Sequence, residues 1–260
     1  MLIQQEKPPI SVVILTFNVQ NTLARALQSL QWAREIIVYD TGSTDQTESI
    51  SQQFSNVVFA KGTLEGFGKT RQQACKLASN PWIFTLDADE WVNHEFLSSI
   101  HSLDFSQKSI IYAFRRKNFY RGRWIKGCRW WPDWQKRLFC KDSTGYDDSF
   151  VHESIQDQGH LVQKIPALIS HEPYRDLSHF LDKLQFYSKL FAEENAGKQK
   201  SSPLKALLHC KFAFWRAFLI DGGWKLGYEG WYIAHYQAQS ALYKYLMLYE
   251  RNQSIREEKA

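Results

Sequence analysis

The first 95 residues constrain the fold most. Four apolar stretches, "ISVVILTF" (10–17), "EIIVYD" (35–40), "NVVFA" (56–60) and "WIFTLDAD" (82–89), alternate with three polar or amphipathic segments. "ISVVILTF" is a continuous run rich in β-branched side chains, the pattern of a strand buried on both faces. Between the first two runs, Leu23, Ala26, Leu27 and Leu30 share one helical face, with Asn18 placed as a cap. Asp45 and Glu48 stand as cap and third-position partner of a second helix, with Gly42 in the turn before it. "GKTRQQACKLA" (68–78) reads as a third. This alternation predicts an α/β fold with a mostly parallel sheet and right-handed crossovers. Ligands of such sheets bind at the carboxyl ends of the strands. Asp40 closes the second run, and Asp87 and Asp89 close the fourth, so these carboxylates are expected to open into one crevice.

From about 104 to 175 the chain changes character. Between Lys108 and Lys141 stand eleven Lys or Arg and one acid, Asp133, interleaved with Trp124, Trp130, Trp131 and Trp134. "IIYAFRRKNFYRGRWI" predicts a hairpin with Gly122 near its turn, and "SFVHESI" (149–155) a further short strand. Beyond about 176 the pattern is helical. Gly197 is a stop signal, Ser202 and Pro203 are a start signal, and Trp231, Ala234, Ala238, Leu242, Tyr245 and Tyr249 form a stripe on the last helix. The tail "NQSIREEKA" is expected to fray.

Bulk properties exclude several classes. A chain of 260 residues with 44% hydrophobic residues and a net charge of +5 suits a soluble protein with a basic lean. The four cysteines form no Cys-x-x-Cys pair, so neither a zinc nor a redox motif is indicated, and free thiols in a reducing cytosol are expected. The start "MLIQQEKPPI" does not read as a signal peptide, and no stretch is apolar enough to span a bilayer.

The chemistry concentrates at strand ends. In an extended segment, residues two apart point to one side, so Asp87 and Asp89 suit a hard divalent cation, Mg²⁺ or Mn²⁺. Such a cation could hold a diphosphate as a leaving group. The plainer reading is a solvated acidic loop. Asp40 could accept a hydrogen bond from a nucleobase or ribose, or it could cap its own turn. Lys69 and Arg71 begin a helix after "GFG", where they could face a diphosphate or form a solvated face.

"VVILTFN", "IIVYDTGSTDQT", "GFGKTRQQA" and "WIFTLDADEWV" resemble, in order and spacing, the nucleotide-sugar domain of the family-2 glycosyltransferases, which have the GT-A fold. "NFYRGRWI", "WWPDWQKRLF" and "VHESI", with the helical tail, resemble the bacterial branch that adds glucose to the heptose of lipopolysaccharide inner core. The resemblance implies that Thr16 and Asn18 line the base and ribose pocket and that Asp40 contacts uracil. It implies that Asp87 binds ribose or the water shell of the metal, and Asp89 the metal itself. Tyr39 and Thr41 around Asp40, and the pair Arg71-Gln72, depart from the usual family residues and bear on donor choice. An inverting transfer also needs a base for the acceptor hydroxyl. Glu153 lies near the family's acidic catalytic pair and is favoured. Asp133 is the alternative, or else a salt-bridge partner of Arg137 or Arg129. His152 could orient Glu153.

The resulting expectation is an α/β GT-A domain at 1–175, with a donor half (1–103) and an acceptor half (104–175), and a helical region at 176–260. The enzyme is expected to move a hexose, glucose from UDP-glucose, onto lipopolysaccharide core. The basic aromatic stretch would meet an anionic, lipid-linked saccharide. Lys205, Lys211, Arg216, Lys225 and Lys244, beside Phe212, Phe214, Trp215, Phe218, Trp224 and Trp231, suit a peripheral site on the cytosolic face of an anionic membrane. Nucleic acid is not an expected partner, and the oligomeric state is open. Rivals are transfer to polyprenyl phosphate or a protein side chain, and a nucleotide-sugar-binding protein without turnover.

Overall fold

The apolar runs become strands and the segments between them helices. The structure, a computed structural model, describes residues 7–149 and 153–257. The strands are β1 (Ile10–Thr16), β2 (Glu35–Asp40), β3 (Val57–Lys61), β4 (Trp82–Thr85), β5 (Glu90–Val92), β6 (Ile110–Tyr120), β7 (Arg123–Trp124), β8 (Asp133–Cys140) and β9 (Leu161–His171). The helices are α1 (Leu23–Ser29), α2 (Thr47–Ser51), α3 (Phe67–Lys76), α4 (His94–His101), α5 (Leu177–Asn195), α6 (Pro203–Trp215) and α7 (Tyr228–Glu257). Between α6 and α7 lie a π-helical turn, Arg216–Ile220, and a 3₁₀ turn, Gly223–Leu226.

Two units separate by packing. The first holds the described residues up to Lys117 and those from Asp133 to His171. Its sheet runs β3-β2-β1-β4-β8-β6-β9-β5. β3, β2, β1 and β4 are parallel, as expected for three strand–helix–strand crossovers. β8 is antiparallel to β4, β6 to β8, and β5 to β9. The alternation of side chains explains the two cores. Val12, Ile14, Ile36 and Val38 face α1 and its Leu23 and Leu27 on one side of the sheet. Val13, Ile37 and Ile83 face Ala74 and Cys75 of α3 on the other.

The second unit holds Asn118–Pro132 and the chain from Glu172 onward. The hairpin therefore packs with the helices rather than with the stretch 104–175 in which the sequence places it. Its apolar residues explain this: Tyr120, Ile125 and Cys128 are buried with Phe180, Ala217, Leu226 and Ile233. The predicted turn is present. Tyr120 pairs with Arg123, and Arg121 and Gly122 both have positive φ, as a tight two-residue hairpin requires. Trp130, partly buried, packs against this core 5.8 Å from the Tyr174 ring, which itself stacks at 3.7 Å on Phe180. Ser202 caps α6 through Lys205 N–H, with Pro203 in the first turn. The tail, expected to fray, is helical as far as the described residues reach. α7 continues to Glu257, and the Asn252 side chain ties it to Gly197 N–H and Gln199 C=O.

Other local expectations shift for identifiable reasons. Asn18 does not cap α1; it takes φ +52° and accepts from Thr44 N–H, tying the loop after β1 to the loop after β2. Asp45 reaches Thr47 N–H and hydroxyl at the start of α2. The proposed strand 149–155 is described only at its ends, where Ile155 forms a single bridge to Tyr146. His152 lies outside the described residues.

Candidate active site

The carboxyl ends of β1, β2 and β4 bring the predicted residues together at one end of the parallel strands. Thr16 and Asp40 are register partners at the ends of β1 and β2, and Leu86 N–H bonds Val13 C=O as the chain leaves β4 toward Asp87.

Asp40 is buried, and its carboxylate accepts four hydrogen bonds. Oδ1 takes the Thr16 and Ser43 hydroxyls, at 3.0 and 2.5 Å, and Oδ2 takes Gly42 N–H and Ser43 N–H. A carboxylate offers about four lone-pair sites. In this arrangement Asp40 caps its own turn, so contact with a base would have to displace one of these partners. Gly42, at φ +112°, makes the turn possible. Thr16 faces Asp40. Asn18, Ser43 and Thr44 lace the two loops together.

Asp87 lies inside a ladder of alternating charges. Oδ1 meets Arg71 Nη2 at 2.9 Å and Oδ2 meets Arg137 Nη2 at 2.8 Å. Arg71 also holds Glu153 Oε1 through Nε at 3.1 Å. Arg137 Nη2 reaches Glu90 Oε1 at 2.5 Å, and Glu90 Oε2 accepts Asp87 N–H. Arg116 continues from Glu90, at 3.5 Å, to Asp133 Oδ2, at 2.7 Å. Glu153, Arg71, Asp87, Arg137, Glu90, Arg116 and Asp133 thus form one chain of four acids and three arginines, with a candidate base at each end. The guanidinium groups of Arg137 and Arg71 hold the Asp87 carboxyl well below its ordinary value against the opposing effect of burial.

The two ends of the ladder differ. Asp133 is occupied on both oxygens, Oδ2 by Arg116 and Oδ1 by Gln135 Nε2 at 2.6 Å. Glu153 binds Arg71 through Oε1, and its Oε2 has no hydrogen-bond partner among the described residues. α3 holds the chain at Tyr146 and Ser149. Gln72 Oε1 accepts Tyr146 N–H, and Gly68 N–H donates to Ser149 C=O. A Cβ on Gly68 would fall on the Asp147 carbonyl oxygen. Gly66, at φ +104°, opens the helix. "GFG" therefore admits a turn and a close backbone approach, and Ser149 C=O takes the Gly68 N–H that the sequence offered to an anion.

Lys69 and Arg71 diverge, since residues two apart on a helix point to nearly opposite sides. Arg71 enters the ladder. Lys69 is exposed and pairs with Glu65 at 2.5 Å, so it forms the solvated face.

Asp89 follows two residues after Asp87. Its Oδ1 lies 3.5 Å from His171 Nε2, placed there by the β5–β9 pairing of Glu90 with His171. His171 was missed in the sequence, where only long-range pairing could link it to Asp89. An oxygen and an imidazole nitrogen this close fit a divalent cation whose other positions come from water and phosphate oxygens. Asp87 does not fit as a direct ligand here, because both its oxygens face arginines. Among the described residues no group of three or more His, Cys, Asp or Glu converges as a self-sufficient metal cage.

Trp134 has two cations near its ring, Arg115 and Lys164, each at 5.3 Å. Trp124 packs edge-on against Trp131, with Lys126 Nζ 4.1 Å from its ring. No helix among the described residues is long and apolar enough to cross a membrane.

A four-stranded parallel half-sheet, an acidic pair after β4 and an antiparallel continuation define the GT-A class of glycosyltransferase fold, here with a helical C-terminal region. The chain belongs to glycosyl transferase family 2, whose pattern matches residues 11–157. It is therefore a glycosyltransferase. It is 25% identical over 257 residues to the lipopolysaccharide core biosynthesis glycosyltransferase LpsC of Rhizobium meliloti, covering 95% of this chain and 94% of that protein. It is 28% identical over 236 residues to an uncharacterized glycosyltransferase of Rickettsia felis, covering 85% and 82%. The fold is shared with TarS 1-349 of S. aureus, solved in complex with UDP. That match has a TM-score of 0.50 and 16% identity, over 96% of this chain and 91% of that one.

Proposed function

We propose that this glycosyltransferase moves a hexose, glucose from UDP-glucose, with inversion onto the inner-core saccharide of lipopolysaccharide. The observation that carries the reading is Asp89 beside His171 at the end of the strand set that also presents Asp40 and the Arg71–Asp87 ladder. Similarity to LpsC along nearly the whole chain supports the acceptor class. Thr16, Asn18 and Asp40 would form the nucleoside floor. Asp89 and His171 would hold Mg²⁺ or Mn²⁺, which when bound stabilises the departing diphosphate. Arg71 would hold Glu153 in place. The Oε2 of Glu153, without a hydrogen-bond partner among the described residues, supports it over Asp133 as the base for the acceptor hydroxyl. A lipid-linked acceptor is presented at a bilayer, so a peripheral position on the cytosolic membrane face belongs to the same reading.

The test is a donor screen with purified protein, Mg²⁺ or Mn²⁺, and truncated lipopolysaccharide. UDP release should require one sugar and the acceptor together. Asp89→Ala should abolish it with the melting temperature unchanged within a few degrees. Turnover retained in that variant removes the metal role. Transfer instead to polyprenyl phosphate or peptide replaces the acceptor, and UDP binding with no turnover on any acceptor leaves only a binding protein.

A further inference from the structure

Helix α6 is built inside out. A soluble surface helix turns its large apolar side chains to the core and its small or polar ones to water. In α6 and the π-helical turn after it, the side facing in carries Ala206 and Ala217, both fully buried. The side facing out carries Leu204, Leu208, Phe212, Trp215, Leu219 and Ile220, exposed by 66, 59, 61, 55, 52 and 76%. On an ideal helix, positions 204, 208, 212 and 215 of α6 fall within an arc of about 80°, and Leu219 and Ile220 are exposed in the π-helical turn that follows. The stripe is therefore continuous, roughly 25 Å long by the rise of α6 and its extension. Isolated exposed leucines need no explanation, but a row of this size marks a contact surface.

Charge identifies the partner. From Lys198 to Tyr228 the chain has six Lys or Arg and one acid, Asp221, which already pairs with Arg216. Lys198, Lys200, Lys211 and Lys225 are exposed. A bulky apolar stripe with basic residues and aromatic rings beside it suits a helix lying in the plane of an anionic bilayer.

We propose that α6 is the membrane-docking element of this protein, inserting Leu204 to Ile220 into the acyl boundary of an anionic leaflet while Lys211 and Lys225 meet its headgroups. This gives the surface for the peripheral position read above, and it rests on that reading only for its biological use. The rest of the C-terminal aromatic set has other work. Phe214 stacks on Phe218 at 5.5 Å and lies 4.6 Å from the His235 ring. Lys244 is half-buried, which lowers its ammonium pKa, and it sits over Phe191 and Tyr245.

The test uses the whole protein and vesicles that contain no saccharide, so that docking is read independently of glycosyl transfer. Vesicles of phosphatidylglycerol and phosphatidylcholine should pellet the wild type, and pure phosphatidylcholine should pellet it at least tenfold less. L208E/F212E should lose at least tenfold in binding. Because both sites are exposed, its circular dichroism and melting temperature should match wild type. K211E/K225E should lose about 25-fold or more, at about fivefold per basic residue. Wild type that stays in the supernatant, or L208E/F212E that binds unchanged, overturns the proposal. So does a wild-type dimer in light scattering that L208E/F212E converts to monomer, since a second copy then covers the stripe. Transfer to a delipidated oligosaccharide, measured in parallel, reports on the proposed activity alone. Its failure beside intact docking condemns that activity and not this surface.

Discussion

At the residue scale, the charge ladder couples four carboxylates to three arginines. Arg71 and Arg137 are 5% and 6% exposed, and Asp87 pairs with both. Removing one partner of a buried ion pair leaves an uncompensated charge. Asp87→Asn is expected to destabilise the fold by about 3 kcal/mol, the low end for buried pairs because Asp87 is 31% exposed. The sign with pH follows from its depressed native pKa. The stabilisation is fully present above the unfolded carboxyl value near 4 and is lost as pH falls through the lowered native value. The gap in melting temperature between wild type and Asp87→Asn should hold constant from pH 7 to 5 and close only well below pH 4. A gap that closes near pH 6 would point to a histidine instead. The ladder's ends give a second expectation. Glu153→Gln should lower kcat by about 10² or more, the usual contribution of a general base. Asp133→Asn, already bonded on both oxygens, should stay within about tenfold of wild type. The reverse order of losses would transfer the role to Asp133.

At the element scale, α3 is the part that joins both halves of the first unit's chemistry. Its first turn meets Ser149, Gln72 holds Tyr146, and Arg71 holds Glu153 and Asp87. Gly68→Ala forces the added methyl against backbone that cannot rotate away. A loss of about 1–3 kcal/mol is expected, as for overpacking elsewhere, together with lower kcat, because the displaced segment leads to Glu153. Thermal unfolding and steady-state kinetics read these separately. Unchanged stability would mean that the 147–149 segment yields freely. "GFGK" announces a helix start correctly, but the use of its glycines depends on a segment some 80 positions later, which local spacing does not encode.

At the scale of the whole molecule, burial sets thiol reactivity. Cys75 and Cys128 are buried, and desolvation pushes each thiol up to about 12. The thiolate is the reactive form. A disulfide exchange reagent at pH 8 should label Cys210, the half-buried cysteine, first, and label Cys75 and Cys128 only after denaturant is added. Fast labelling of more than one thiol in the native protein would mean that a core opens readily.

The alternation of apolar runs and amphipathic segments was enough to specify the parallel strands, their helices and the end of the sheet where Asp40, Asp87 and Asp89 lie. Strand period and helix period are local, so a chain read in order reveals them. What each carboxylate touches is different in kind. Asp87 meets Arg71 and Arg137, 16 and 50 positions away, and Asp89 meets His171 across a strand pair formed by β5 and β9. Arg137 and His171 come into reach only once antiparallel strands close the second half of the sheet. The same holds for α6, whose sequence shows apolar residues at helical spacing but not which side faces in. Packing of its alanines inward decided that, and left the bulky side chains in solvent.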